Sequence, residues 1–225
     1  MRGPLAVLLL LFGAKVAAAQ LCVGNTALAI SRFHSAANAD FDKLAARFAL
    51  EMRFRYQHSF IAAEYGIKTW DLTSLDGNSR AVALTLGLQS GSARSKAQLC
   101  PFLRWTYLSG PHEIGGTFWN YAEHAFSGGV SIGYLMARAK LWDFMPNAAL
   151  TVGTADPKLT TVYGGSLNQY QDFCCGRESF TTLSLGLGLG YSDEMTLIPS
   201  VSWPLSHRGQ KTYGVRAALR LGKGI

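Results

Sequence analysis

The sequence is poor in charge. Asp, Glu, Lys and Arg make up 16% of its 225 residues, against 48% hydrophobic, whereas a soluble domain usually carries about 25% charged residues. Proline is sparse, at 7 residues beside 24 glycines, a balance that excludes collagen-like and disordered polymers. After residue 20 no continuous apolar run reaches the roughly 20 residues a membrane helix needs. Cysteine is confined to Cys22, Cys100, Cys174 and Cys175. No His, Asp or Glu cluster stands near them at metal-ligand spacing, so no metal and no cofactor is expected.

The one compact apolar run opens the chain, in "MRGPLAVLLLLFGAKVAAAQ". Arg2 supplies a positive start, Leu5 to Phe12 an apolar stretch, and Ala17, Ala18 and Ala19 a small-residue cleavage site. That is the pattern of an export signal over residues 1–19, and the run is too short to span a bilayer as a retained anchor. Its removal lowers the formal net charge from +7 to +5, because Arg2 and Lys15 go with it. Cys22 follows closely, but the bulky Leu21 before it argues against lipid attachment and for a structural disulfide.

Alternation is what the sequence has in abundance. In "KLAARFALEMRFRY" (43–56) one set of alternate residues is Leu44, Ala46, Phe48, Leu50, Met52, Phe54 and Tyr56, and the other is Lys43, Ala45, Arg47, Ala49, Glu51, Arg53 and Arg55. Strict period-2 patterning marks a strand with two unlike faces. The pattern recurs at 60–70, 80–89, 99–108, 123–136, 141–153, 180–191, 196–205 and 212–221, with a weaker candidate, "TALAISRFH", at 26–34. Short connections fall near 57–58, 90–96, 137–139 and 192–194. Longer ones fall near 35–42, 72–78, 109–121 and 154–179, the last being the longest.

Two architectures suit such strands in an exported chain. A soluble sandwich turns its apolar faces inward. A transmembrane barrel turns them to lipid and fills its interior with polar and small residues. Strands of roughly 10–12 residues match a tilted bilayer crossing better than the usual 5–6 of soluble sheets. Aromatics gather at the strand ends as two girdles: Tyr56, Tyr134, Trp142, Phe144 and Tyr191 on one side, Trp70, Trp105, Tyr107, Phe180, Trp203 and Tyr213 on the other. The fold class expected is therefore all-β: an antiparallel up-and-down transmembrane barrel of about ten strands, with eight as the alternative, over residues 20–225.

These residues carry a resemblance. The leader, the alternating strands through 40–223 and the terminal "TYGVRAALRL", with Gly214 followed by Val215, Ala217, Leu219 and Leu221, resemble the small bacterial outer-membrane β-barrel families. The ending "GKGI" departs from their usual aromatic terminus. The resemblance implies a Gram-negative outer-membrane location and a monomer. It implies partners in outer-membrane lipid, lipopolysaccharide and, during biogenesis, the barrel-assembly machinery. It implies no nucleic acid, and it names no activity.

The predicted lumen holds Lys43, Arg47, Arg53, Arg55, Lys68, Arg104, Arg216 and Arg220, facing Glu51, Glu64, Glu123 and Asp143. Small barrels are nearly filled by side chains, so these charges are expected to pair as a plug; a narrow anion-preferring passage is the alternative reading. The run "LGLGLGY" at 185–191 is no nucleotide loop, because no helix follows it. Gly186, Gly188 and Gly190 are expected to make room for bulky lumen side chains. Cys22 and Cys100 lie on the short-turn side and are expected to pair. Cys174 and Cys175 stand together in the longest loop. A lipid-modifying enzyme is the third reading, but His124 and Ser127, three apart on a strand, face opposite sides and cannot act as base and nucleophile. Phe118, Trp119 and Tyr121 are assigned to the outer girdle, with a ligand anchor as the alternative.

Overall fold

A computed structural model describes residues 32–221 apart from 44, 73–74, 90–95, 115–116, 162–176, 193 and 207–210; within its strands, only the backbone is described at 70–72, 75–77, 111–114, 117–119, 121 and 159–161. The expected leader, Cys22, Cys174 and Cys175 lie outside the described residues. The strands are β1 (Phe33–Phe41), β2 (Ala45–Tyr56), β3 (Ser59–Leu72), β4 (Leu75–Leu88), β5 (Ala97–Ile114) and β6 (Thr117–Tyr134). They continue as β7 (Ala137–Ala139), β8 (Trp142–Thr161), β9 (Glu178–Tyr191), β10 (Met195–Pro204) and β11 (Thr212–Arg220).

Each strand pairs antiparallel with its neighbours in chain order, except that β6 pairs with β8 while the three-residue β7 lies against the start of β8. Pairing of β1 with β11 closes the sheet. The result is a ten-stranded cylinder with one short extra strand, which decides between ten and eight.

The interior and exterior follow the alternation. On β2, Ala49, Glu51 and Arg53 are buried inside while Leu50 is 68% exposed outside. Leu103 and Phe126 stand outside at 67% and 62%. The buried apolar side chains are mostly alanines, among them Ala36, Ala62, Ala81, Ala83 and Ala218. Large apolar groups are therefore exposed and small or polar ones buried, the reverse of a water-soluble core. Such an exterior far exceeds the few hundred Å² of contiguous apolar patch a soluble monomer carries. It belongs in hydrocarbon, where closure leaves no unpaired backbone edge.

The ends differ from the expected pattern. The region 35–42, expected as a loop, is β1, and most of the weak candidate at 26–34 lies outside the described residues. The stretches near 72–78 and 109–121 are paired strand almost throughout: Leu72 meets Leu75, and Ile114 meets Thr117. The longest connection is 162–177, because β8 runs on to Thr161. That far end of the barrel is built of extended strands more than of loops. β5 and β6 have 18 residues each and β8 has 20. At about 3.3 Å per residue and a tilt near 40°, 18 residues rise roughly 45 Å, well past a belt of about 25 Å.

The outward face of β8 records where the belt stops. Leu150 and Val152 are exposed and apolar, and the next outward residues are Thr154, Asp156 and Lys158. At the same level Tyr107 and His124 meet in a tilted contact with ring centroids 4.6 Å apart, and Trp105 stacks parallel to Tyr107. At the turn end Trp142 and Tyr191 lie 4.9 Å apart. Phe180 leaves the expected girdle: it points inward and lines the lumen. The turn-end hairpins are tight enough to place Gln57, Lys140 and Ser192 in the left-handed region, at φ of 50°, 52° and 50°.

Candidate functional site

Most of the inward charges gather on one wall, where β11, β1, β2, β3 and β5 carry them and β4 contributes Ser79, Ala81, Ala83 and Thr85 between. The register sets Glu51 directly opposite Glu64 on β2 and β3, and Arg47 opposite Lys68. Like charges across a strand pair destabilise a sheet, so each carboxylate requires cations from elsewhere.

Arginines from both flanks supply them. Arg216 of β11 reaches across β1 and donates from Nη1 and Nη2 to the two oxygens of Glu51, at 2.9 and 2.8 Å. Arg53 approaches the same carboxylate at 3.2 Å. From the other flank Arg104 of β5 crosses β4 to reach Glu64 at 2.9 Å, with Thr85 Oγ1 accepting from its Nη1 at 3.4 Å. Arg47 pairs with Glu64 and, at 3.4 Å, with Asp40. Asn38 Nδ2 donates to Glu64 Oε2 at 3.1 Å. Two adjoining clusters result, each a carboxylate gripped by two guanidinium groups. Both carboxylates are nearly out of contact with solvent, at 3% and 6% exposure. Bidentate charge-assisted bonds of this kind are the strong ones.

Packing fixes the arginines as well as charge does. The Arg53 guanidinium lies 4.2 Å over the Phe60 ring, a cation–π contact worth up to about 2 kcal/mol when desolvated. Phe60 itself lies across Gly87, its register partner on β4, where any side chain would collide with the ring. Gly186 of the "LGLGLGY" run does similar work. Gly186, Gly188 and Gly190 stand opposite Asn147, Met145 and Asp143, and a Cβ at 186 would come within 2.7 Å of Asn147 Oδ1.

The opposite wall, on β6, β8, β9 and β10, is lined at mid-depth by small and hydroxyl side chains such as Ser127, Thr151, Ser184 and Ser200. Between the walls a cavity of about 500 Å³ opens on the far side of the network, and one of about 250 Å³ lies toward the turns. They share Phe102, Arg104, Ser200 and Arg216 as lining, so those four form a neck. Toward the turn end Met145, Gln89, Gln98, Thr196 and Cys100 are fully buried. Cys100 is disulfide-bonded, and its partner is not among the described residues.

Of the twelve charges expected inside, Arg47, Glu51, Arg53, Glu64, Arg104 and Arg216 meet in the two clusters. Lys68 stands higher, half-buried opposite Arg47, with Asp42 and Glu123 acting on it. Arg220 faces inward at the turn end beside His34. Asp143 is drawn away from the clusters by Arg138, which donates from Nε and Nη2 at 2.7 and 3.0 Å across the β7–β8 pair. One assignment needs correction: Lys43 is exposed in the β1–β2 turn, because the strand begins two residues later. Arg55 keeps the inward face, opposite Phe60, but at its turn end, with its Nε donating to the Gln57 carbonyl at 2.8 Å. Asn38, Asp40 and His34 were missed with β1, whose alternation is too weak in contrast to stand out.

No family model matches the sequence, and no curated protein does. Among solved structures the chain is similar to the translocator domain of autotransporter NalP from Neisseria meningitidis, at 10% identity over 84% of this chain and 87% of that one, with a TM-score of 0.48. It is similar to the beta domain of the Bordetella autotransporter BrkA at 9% identity, covering 85% and 98%, with a TM-score of 0.44. For the KdgM porin the values are 7% identity, 84% and 99%, and 0.39. Likeness at that level carries nothing about function. The closed even-stranded cylinder, its lipid-facing belt and its polar interior themselves make the chain an outer-membrane β-barrel.

Proposed function

We propose that this outer-membrane barrel is a non-conducting scaffold, its lumen braced by ion pairs and its extended far end presented for contact at the cell surface. The carrying observation is the pair of arginine-held carboxylates at mid-lumen, set above a turn end packed with fully buried side chains. Mobile ions crossing that layer would have to part charges already satisfied in a low-dielectric interior, at a cost of several kcal/mol. The rims of β5, β6 and β8, which rise past the belt, would be the contact surface, and the belt would meet lipid and lipopolysaccharide. Catalysis does not enter this reading: His124 lies against Tyr107 at the outside while Ser127 lines the lumen.

A second reading, a narrow anion-preferring passage, draws on the space left beside the uncharged wall and on the arginine surplus at the neck. Planar-bilayer recordings separate the two. The scaffold reading expects no steady conductance from the purified barrel at modest voltage. Steady, anion-selective openings would replace it with the passage.

A further inference from the structure

Cys100 faces into the cylinder. Phe102 and Arg104, which follow it on β5, line the lumen, and alternate residues of a strand share a face. Cys100 is completely buried and disulfide-bonded. A disulfide holds its two Cα atoms within about 7 Å, so the partner cysteine also lies inside the barrel. The other cysteines, Cys22, Cys174 and Cys175, all belong to segments outside the described strands. A further stretch of chain therefore enters the lumen.

Reach selects the stretch. The Arg55 backbone N–H donates to the Arg32 carbonyl, and the register runs on from Arg55 through Phe60 and Gly87 to Phe102. Arg32 is thus four strand spacings from a point two residues off Cys100, about 20 Å round the wall. The chain from Cys22 to Arg32 extends to about 33 Å, which is ample. From the far end, Glu178 registers through Ala155 and Ala125 with Thr106, higher on β5 than Cys100. Three strand spacings sideways and six residues along the strand separate Glu178 from Cys100 by about 24 Å. Cys174 extends at most about 14 Å from Glu178, the bond adds about 7 Å, and Cys175 extends less. Cys22 alone reaches.

The turn end offers the seat. Gln98 is next to the start of β5, Thr196 next to the start of β10, and Gln89 follows the end of β4. Inward side chains at an open rim would meet water, yet these are fully buried. Gln89 Oε1 and Nε2, Gln98 Oε1 and Thr196 Oγ1 have no hydrogen-bond partner among the described residues, and buried polar groups call for one. Residues 22–31, "CVGNTALAIS", carry no charge and are mostly small, so their burial there strands no ion, and their backbone brings both donors and acceptors. We infer that this segment turns back from the start of β1 into the turn end of the lumen, tethered by a Cys22–Cys100 disulfide, and floors the barrel beneath the two carboxylate clusters. This goes beyond the scaffold reading and does not rest on it, since tether and seat are read without any measurement of conductance.

Peptide mapping by mass spectrometry and hydrogen exchange test it, on barrel purified in detergent without reductant. A linked pair of peptides holding Cys22 and Cys100 is expected, and it should vanish on treatment with a water-soluble phosphine. Cys100 found as a thiol, or joined to Cys174 or Cys175, overturns the tether. Amides 23–31 should exchange at least tenfold more slowly before reduction than after it, with β5 unchanged as the sign of an intact barrel. Cys22→Ser should lose the same protection without reductant, and reduction of the already folded barrel serves where that variant does not fold. Cys174→Ser combined with Cys175→Ser should keep it. Exchange of 23–31 at the free-chain rate in the oxidised barrel overturns the seat, and protection equal before and after reduction overturns the tether's hold on it.

Discussion

Glu51 receives both terminal nitrogens of Arg216, at 2.9 and 2.8 Å, and the guanidinium of Arg53 besides. Two cations therefore depend on one carboxylate, and the dependence is unequal in the other direction. Glu51→Ala leaves Arg53 and Arg216 without their shared carboxylate in the barrel interior and should cost about 3–5 kcal/mol. Arg216→Ala leaves Glu51 with Arg53 and should cost clearly less. Urea unfolding of the barrel in lipid vesicles measures both, and equal losses would contradict the arrangement described. At this scale much was legible in advance. Arg47, Glu51, Arg53, Glu64, Arg104 and Arg216 announce themselves because a charge every second residue on an otherwise apolar strand has no place but the interior. Their pairing was not legible, since Arg216 and Glu51 meet only through the closure of the sheet.

Strand β8 carries the boundary between membrane and water within its own length. Leu150 faces outward in the belt and Asp156 faces outward beyond it. Leu150→Arg should therefore destabilise by about 2–4 kcal/mol and Asp156→Arg by no more than about 1, following depth in the bilayer. Equal penalties, measured by reversible unfolding in vesicles, would move the membrane boundary. The same boundary explains why the alternation marks out segments shorter than the strands themselves. Alternation is visible only where one face meets hydrocarbon and the other does not. Past Val152 both faces are polar, the contrast vanishes, and paired strand reads as loop. The hairpin from Gly110 to Tyr121 is the plainest case, with Pro111 opposite Asn120 and Glu113 opposite Phe118 in unbroken register. β1 fails for a related reason: its outward residues between Phe33 and Phe41 are Ser35, Ala37 and Ala39, too small to mark a face.

The whole molecule is a sheet with its oil on the outside, and its physical state follows. Folded barrels should remain dispersed as monomers only in detergent or lipid, with association on detergent removal, as sedimentation would show; a freely soluble folded monomer would leave the belt without a purpose. The joining of β1 to β11 has a further consequence, for the order of events in time. The first strand of the cylinder has one flank that nothing but the last strand can satisfy. A ribosome makes these two at opposite ends of its task, so the earliest segment must wait for the latest. Until they meet, any curved ribbon lodged among acyl chains carries two raw rims of amide and carbonyl. No half-built vessel is a resting place, and the polypeptide must be kept outside the bilayer or chaperoned at its rims until the final seam is drawn shut.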